Sequence, residues 1–179
     1  MLITAKSALR RTIRSRLAAL SVGERATKSE GIAAALLARE DVIRARTIAL
    51  FLSLGDEPQT RWLIDALAAT HRIVLPRVTG KAMEFVVYVP GSLRRGAFGI
   101  EEPAGGEVVE PADIDAMVVP GVAFTADGAR LGRGRGYYDR YLASEGFRAL
   151  CIGVCFAEQM VDALPAEPHD RAMDAVIFA

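Results

Sequence analysis

Between residues 130 and 142 the chain reads RLGRGRGYYDRYL, in which Gly132, Gly134 and Gly136 alternate with arginines and two tyrosines follow. Glycine reaches backbone conformations closed to other residues, so successive amide N–H groups of such a loop can turn inward as a nest for phosphate oxygens. Arg130, Arg133 and Arg135 can bring charge-assisted, bidentate bonds to the same anion. The segment runs into a helical pattern beginning near Tyr137, whose positive end adds to the attraction. A solvated glycine turn with surface arginines is the competing reading.

Other phosphate and nucleic-acid signatures fit less well. The Walker A pattern GxxxxGK[ST] is absent. The spacing here is GxGxG rather than GxGxxG, and no acidic residue ends the next strand to hold a ribose, which disfavours a dinucleotide fold. Arginine-glycine segments that bind RNA are usually disordered, whereas this one lies between apolar, strand-like runs.

The elements that must position this loop alternate between strand and helix patterns. Residues 5 to 20 carry Ala8, Leu9, Ile13, Leu17 and Leu20 at helical spacing, with Lys6, Arg10, Arg11, Arg14 and Arg16 over the remaining surface. Ser21 and Glu24 have capping-box spacing and open a second helix. Strands are expected at 47–53, 72–76, 83–89, 116–121, 149–156 and 174–178, with helices over TRWLIDALAA, after Gly136 and after Ala157. Residues 91–113, rich in Gly, Pro and acids, read as one long connection, and Trp62 reads as core. Regular alternation predicts an α/β protein with a mostly parallel sheet covered on both faces, and ligands collect at the C-terminal strand ends of such sheets.

Composition bounds the rest. The 179 residues suit one domain, and 22 basic against 22 acidic residues leave no global charge for nucleic acid. The N-terminus lacks the apolar region of a signal peptide, and no run approaches a membrane span; we expect a cytoplasmic, monomeric protein. Cys151 and Cys155 lie four apart in an extended run, about 13 Å at roughly 3.3 Å per residue, beyond disulfide reach. Both read as buried apolar side chains.

The run VPGVAFTADGARLGRGRGYYDRYL resembles the signature of the 5-formyltetrahydrofolate cyclo-ligases, also called methenyltetrahydrofolate synthetases. KSALR, FLSLGDEPQT, FGIEEP and GVCFAEQMVDALPAEPHD resemble further segments of that family, in its order, so the resemblance covers nearly the whole chain. It implies a three-layer α/β/α sandwich as one domain over residues 1–179. The implied reaction is ATP- and magnesium-dependent cyclisation of 5-formyltetrahydrofolate to 5,10-methenyltetrahydrofolate, with release of ADP and phosphate. Small molecules would be its only partners, with no nucleic acid and no membrane.

By resemblance Lys6 and Arg10 contact ATP, as do Arg130, Leu131, Gly132, Arg133, Gly134, Arg135, Gly136, Tyr137 and Tyr138. Lys6 and Arg10 are four apart, hence on one helix face. The folate would meet Leu52, Glu57 and the loop from Arg133 to Tyr137, whose ring could stack on a pterin. Arg133, Arg135 and Tyr137 form the catalytic set, and Asp139 and Asp170 match magnesium positions. Read alone, Glu57 could equally cap the next helix, Leu52 could be core, Asp139 an ordinary first-turn acid, and Tyr138 packing for its helix. His169 fits a structural turn better than an acid or base. Arg133 reads as an exposed loop side chain whose removal leaves the fold's stability nearly intact. Two alternatives stay open: a nucleotide-binding paralogue without catalysis, and an isomerase or CoA-transferase-like enzyme that uses the nest for a substrate phosphate.

Overall fold

The structure, a computed structural model, describes residues 2–96, 99–165 and 171–179. Three helices open the chain: α1 (Leu2–Ala18), α2 (Val22–Leu37) and the short α3 (Glu40–Arg44). The capping box forms as expected, with Glu24 N–H donating to Ser21 Oγ and Ser21 N–H donating to the Glu24 carboxylate. Then follow β1 (Thr47–Ala49), α4 (Arg61–Ala68), β2 (Arg72–Thr79), β3 (Ala82–Val87), β4 (Leu93–Arg95), β5 (Glu101–Pro103) and β6 (Val108–Val109). The remaining elements are β7 (Ala116–Pro120), β8 (Ala123–Phe124), β9 (Arg130–Leu131), α5 (Tyr137–Leu142), β10 (Leu150–Cys155) and β11 (Ala175–Phe178).

Seven strands form one sheet in the order β11-β10-β7-β1-β2-β3-β6. Its first five members run parallel, and β3 and β6 add an antiparallel edge. Side chains alternate across the strands, so Ile48, Ile73, Val118 and Ile152 join a core with Ile13, Ile32, Leu36 and Ile64. Ala49, Val74, Met117 and Cys151 face the opposite way, toward Tyr141 and Leu142. Helices therefore cover both faces, giving the three expected layers. Both cysteines are free and buried, and burial pushes their thiols up to about 11 for Cys151 and about 12 for Cys155.

Several sequence expectations need correction. The run 47–53 keeps strand pairing only through Ala49, because the chain must leave the sheet to build the 53–60 turn. Residues 91–113 are not one plain connection: they hold the β4–β5 pair, β6 and a 3-10 turn at Pro111–Asp113. Among the described residues no α-helix follows Ala157. Ala157–Gln159 makes a single 3-10 turn, then Phe124 C=O accepts from Val161 N–H at 2.9 Å and draws the chain away. Trp62 is 41% exposed, since the inward face of α4 is formed by Leu63, Ile64 and Leu67.

Candidate active site

The glycine loop leads into α5 as expected, and the short strand β9, which the sequence did not signal, stands directly before it. Gly134 and Gly136 take φ of +98° and +67°, left-handed geometry that a side chain strains, and Gly136 is the N-cap of α5. Gly132 differs from the expectation because its φ is not in that region. Its role is to receive α1: Arg10 Nε donates to Gly132 O at 2.9 Å, and the same guanidinium lies beside Gly134. The basic helix thus docks on the loop from 122 residues away. Lys6, one turn earlier on α1, is half-buried.

The acidic arm of the site comes from the turn after β1. Ser53 and Thr60 hydroxyls brace that turn onto the Pro58 and Phe51 carbonyls, while Arg25 of α2 donates to Gly55 O at 2.8 Å. Glu57 is 5% exposed there. Its Oε2 accepts from Leu54 N–H at 2.9 Å, and its Oε1 accepts from Arg133 Nε at 3.0 Å and Nη2 at 2.9 Å. Burial pushes the Glu57 carboxyl above its usual range, and the Arg133 charge pulls it back. Glu57 therefore does not cap α4, whose N-cap is Thr60. Arg133 also reaches Asp56 at 2.5 Å, a contact the sequence did not single out. Because it neutralises a buried acid, Arg133 is not the dispensable loop side chain that its position suggested.

Arg130 behaves differently from its loop neighbours. Its side chain is 4% exposed, donates to Pro120 O at 3.2 Å, pairs with Asp139 of α5, and lies over the Tyr138 ring at 5.6 Å. It locks the helix start to the end of β7. Leu131 is buried in the core, and Tyr138 packs against the core, where burial raises its phenol. Tyr137 donates to Gly80 O at 3.3 Å and carries the Arg140 guanidinium 5.3 Å above its ring.

These residues surround a cleft of about 440 Å³. Leu52, Leu54, Pro76, Val78, Met83 and Ile100 give it apolar walls; Glu57, Arg133, Arg135, Tyr137 and Asp139 supply polar groups. Across the loop lies an open basin of about 540 Å³ lined by Lys81, Gly134, Arg135, Tyr137 and Arg140. Arg135 and Tyr137 border both spaces. Lys81 and Arg140 are contributors that sequence reasoning missed: Lys81 sits at the β2–β3 turn, and only the fold brings it to the loop, where Lys81 O accepts from Arg140 Nη2 at 2.8 Å.

For a metal, Asp139 offers one carboxylate, with Oδ1 engaged by Arg130 and Oδ2 without a hydrogen bond among the described residues. No group of three His, Cys, Asp or Glu that could hold an ion exists among the described residues. That donor set fits a hard cation arriving with phosphate and water ligands, and not an ion caged by protein. Asp170 and His169 lie outside the described residues. No described helix is long and apolar enough to cross a membrane.

Comparison with known proteins shows the family. Residues 3–179 match the 5-formyltetrahydrofolate cyclo-ligase family. The chain is 30% identical over 190 residues to the 5-formyltetrahydrofolate cyclo-ligase of Mus musculus, covering 98% of this chain and 94% of that one. It is 32% identical over 173 residues to the Escherichia coli K12 protein of that name, covering 92% and 95%. The NMR structure of Aquifex aeolicus 5,10-methenyltetrahydrofolate synthetase superposes with a TM-score of 0.87 at 34% identity, over 97% of this chain and 89% of that one. The Mycoplasma pneumoniae 5,10-methenyltetrahydrofolate synthetase gives 0.76 at 28% identity, over 96% and 97%. With a match running almost end to end, the chain is an enzyme that belongs to the 5-formyltetrahydrofolate cyclo-ligase family.

Proposed function

We propose that this enzyme, acting as one domain, uses ATP and magnesium to close 5-formyltetrahydrofolate to 5,10-methenyltetrahydrofolate. One observation carries the reading: a single loop, Gly132 to Tyr137, forms a wall of an apolar cleft holding a buried carboxylate and, on its other side, borders a basin of cations. A flat heterocycle and a triphosphate would meet at that loop.

A formamide is a poor electrophile because its nitrogen lone pair is delocalised. The formyl oxygen therefore attacks the γ-phosphorus of ATP; the bond to ADP breaks, and ADP leaves. The lone pair of the neighbouring folate nitrogen then adds to the formyl carbon, the carbon–oxygen bond breaks with loss of phosphate, and that nitrogen gives up its proton. Catalysis is chiefly positioning and charge neutralisation. Arg10, Lys6, Arg133 and Arg135 neutralise the phosphates, the left-handed glycines let them approach the backbone, and Arg130 positions Asp139 and the helix start. Leu52 and Tyr137 bound the pterin, with Glu57 on its N–H donors. Magnesium, held by Asp139 with Asp170, would neutralise phosphate charge.

The test mixes purified protein with 5-formyltetrahydrofolate, magnesium and ATP and follows near-ultraviolet absorbance of the conjugated product. Growth that requires all three supports the reading. No growth, with ATP binding verified separately, overturns it.

A further inference from the structure

The second glutamate of the FGIEEP motif is placed for a chemical task. Glu102 is 9% exposed and lines the apolar cleft. Among the described residues its carboxylate has no hydrogen-bond or ion-pair partner, not even Arg94, which stands opposite it in the β4–β5 register. Its neighbour Glu101, by contrast, pairs with Arg61 at 2.5 Å. A glycine makes the room: a Cβ at Gly96 would stand 2.2 Å from a Glu102 carboxylate oxygen.

A carboxylate that lines an apolar cleft with no donor from the described residues keeps its accepting capacity for a ligand. Glu57 has already committed its oxygens to three protein donors, of the roughly four that a carboxylate accepts. Glu102 has committed none to any described residue. We infer that Glu102 is a second substrate-recognition residue, whose carboxylate accepts an N–H edge of the flat heterocycle held between the apolar walls. This rests on the folate reading above. A reduced pterin carries such donors on its amino group and ring nitrogens, so two carboxylates from separate elements, Glu57 and Glu102, would fix its orientation as well as its affinity.

The experiment compares wild type, Glu102→Gln and Gly96→Ala by product absorbance, by calorimetric binding of 5-formyltetrahydrofolate alone, and by thermal melting. Glu102→Gln keeps the volume and removes the charge; it is expected to raise KM and Kd for the folate about 10- to 100-fold while KM for ATP stays within about twofold. Melting should hold, because no contact of the carboxylate with a described residue is lost. Gly96→Ala, which displaces the carboxylate, should weaken the folate in the same direction. Unchanged folate KM and Kd in Glu102→Gln, or a fall in melting with folate and ATP affected equally, overturns the inference and leaves the substrate reading intact. A wild type that neither binds nor converts 5-formyltetrahydrofolate removes the substrate reading, and this inference with it.

Discussion

Replacing Arg133 with alanine should destabilise the fold in a pH-dependent way. The side chain of Glu57 is 6% exposed and that of Arg133 is 40% exposed, so the variant leaves a buried carboxylate facing the space that its counter-ion filled. Breaking a fully buried pair costs about 3–5 kcal/mol, but water can reach the Arg133 side, so about 1–3 kcal/mol at pH 7.5 is the better figure. The contact to Asp56, with 36% and 40% exposed side chains, adds about 0–1 kcal/mol. The sign with pH follows from Glu57. Burial already raises its carboxyl in the folded protein, and the variant deletes the charge and hydrogen bonds of Arg133 that oppose the rise. The folded state then keeps its proton to higher pH than the unfolded chain, so stability present below the unfolded value, about 4.3, is lost as pH rises through the folded one. Urea denaturation followed by far-ultraviolet circular dichroism at pH 7.5 and 4.5 should show the deficit shrink below about 1 kcal/mol at the lower pH. Adding Glu57→Gln to the variant should restore most of the loss at pH 7.5. An equal deficit at both pH values, or no recovery in the double variant, would refute the coupling of Arg133 to Glu57.

Arg10→Ala should weaken ATP binding about tenfold or more by removing a charged donor at the glycine loop, with calorimetric folate affinity unchanged; equal loss of both ligands would point to a displaced loop instead. Gly136→Ala should cost about 1–2 kcal/mol from its left-handed backbone, since the Cβ meets only the movable end of Arg140 at 2.7 Å. Gly128→Ala should cost about 3 kcal/mol or more, because that Cβ would stand 2.2 Å from the Met173 backbone carbonyl oxygen; urea melts of the two variants rank them. Ser21→Ala removes the capping box of α2 and should cost about 1 kcal/mol in the same assay.

Local chemistry made much of this protein legible in one dimension. Helical spacing marked α1, the Ser21 and Glu24 pair marked the start of α2, and apolar runs marked the parallel strands, because each pattern is set by neighbours a few residues away. The glycine loop was equally plain, since left-handed backbone at Gly134 and Gly136 demands that residue type. Elements shaped by distant partners were not. The 3-10 turn at Ala157 is decided by the Phe124 carbonyl, and the exposure of Trp62 by which side of α4 meets the sheet.

The candidate site divides in the same way. Its residue types were written in the sequence: arginines and glycines for an anion, a glutamate after the first strand, tyrosines at a helix start. What tertiary structure alone decided was which of them meet. Folding brings Arg133 across 76 residues to Glu57, turns Arg130 away from solvent to hold Asp139, and sets Lys81 of the β2–β3 turn beside Arg140. It also places Glu102 on the cleft wall with no partner among the described residues. Charges of similar appearance in the sequence thus acquire different roles, because burial and distance, which only the folded chain has, determine whether an ionic group faces a counter-ion, water or an incoming ligand.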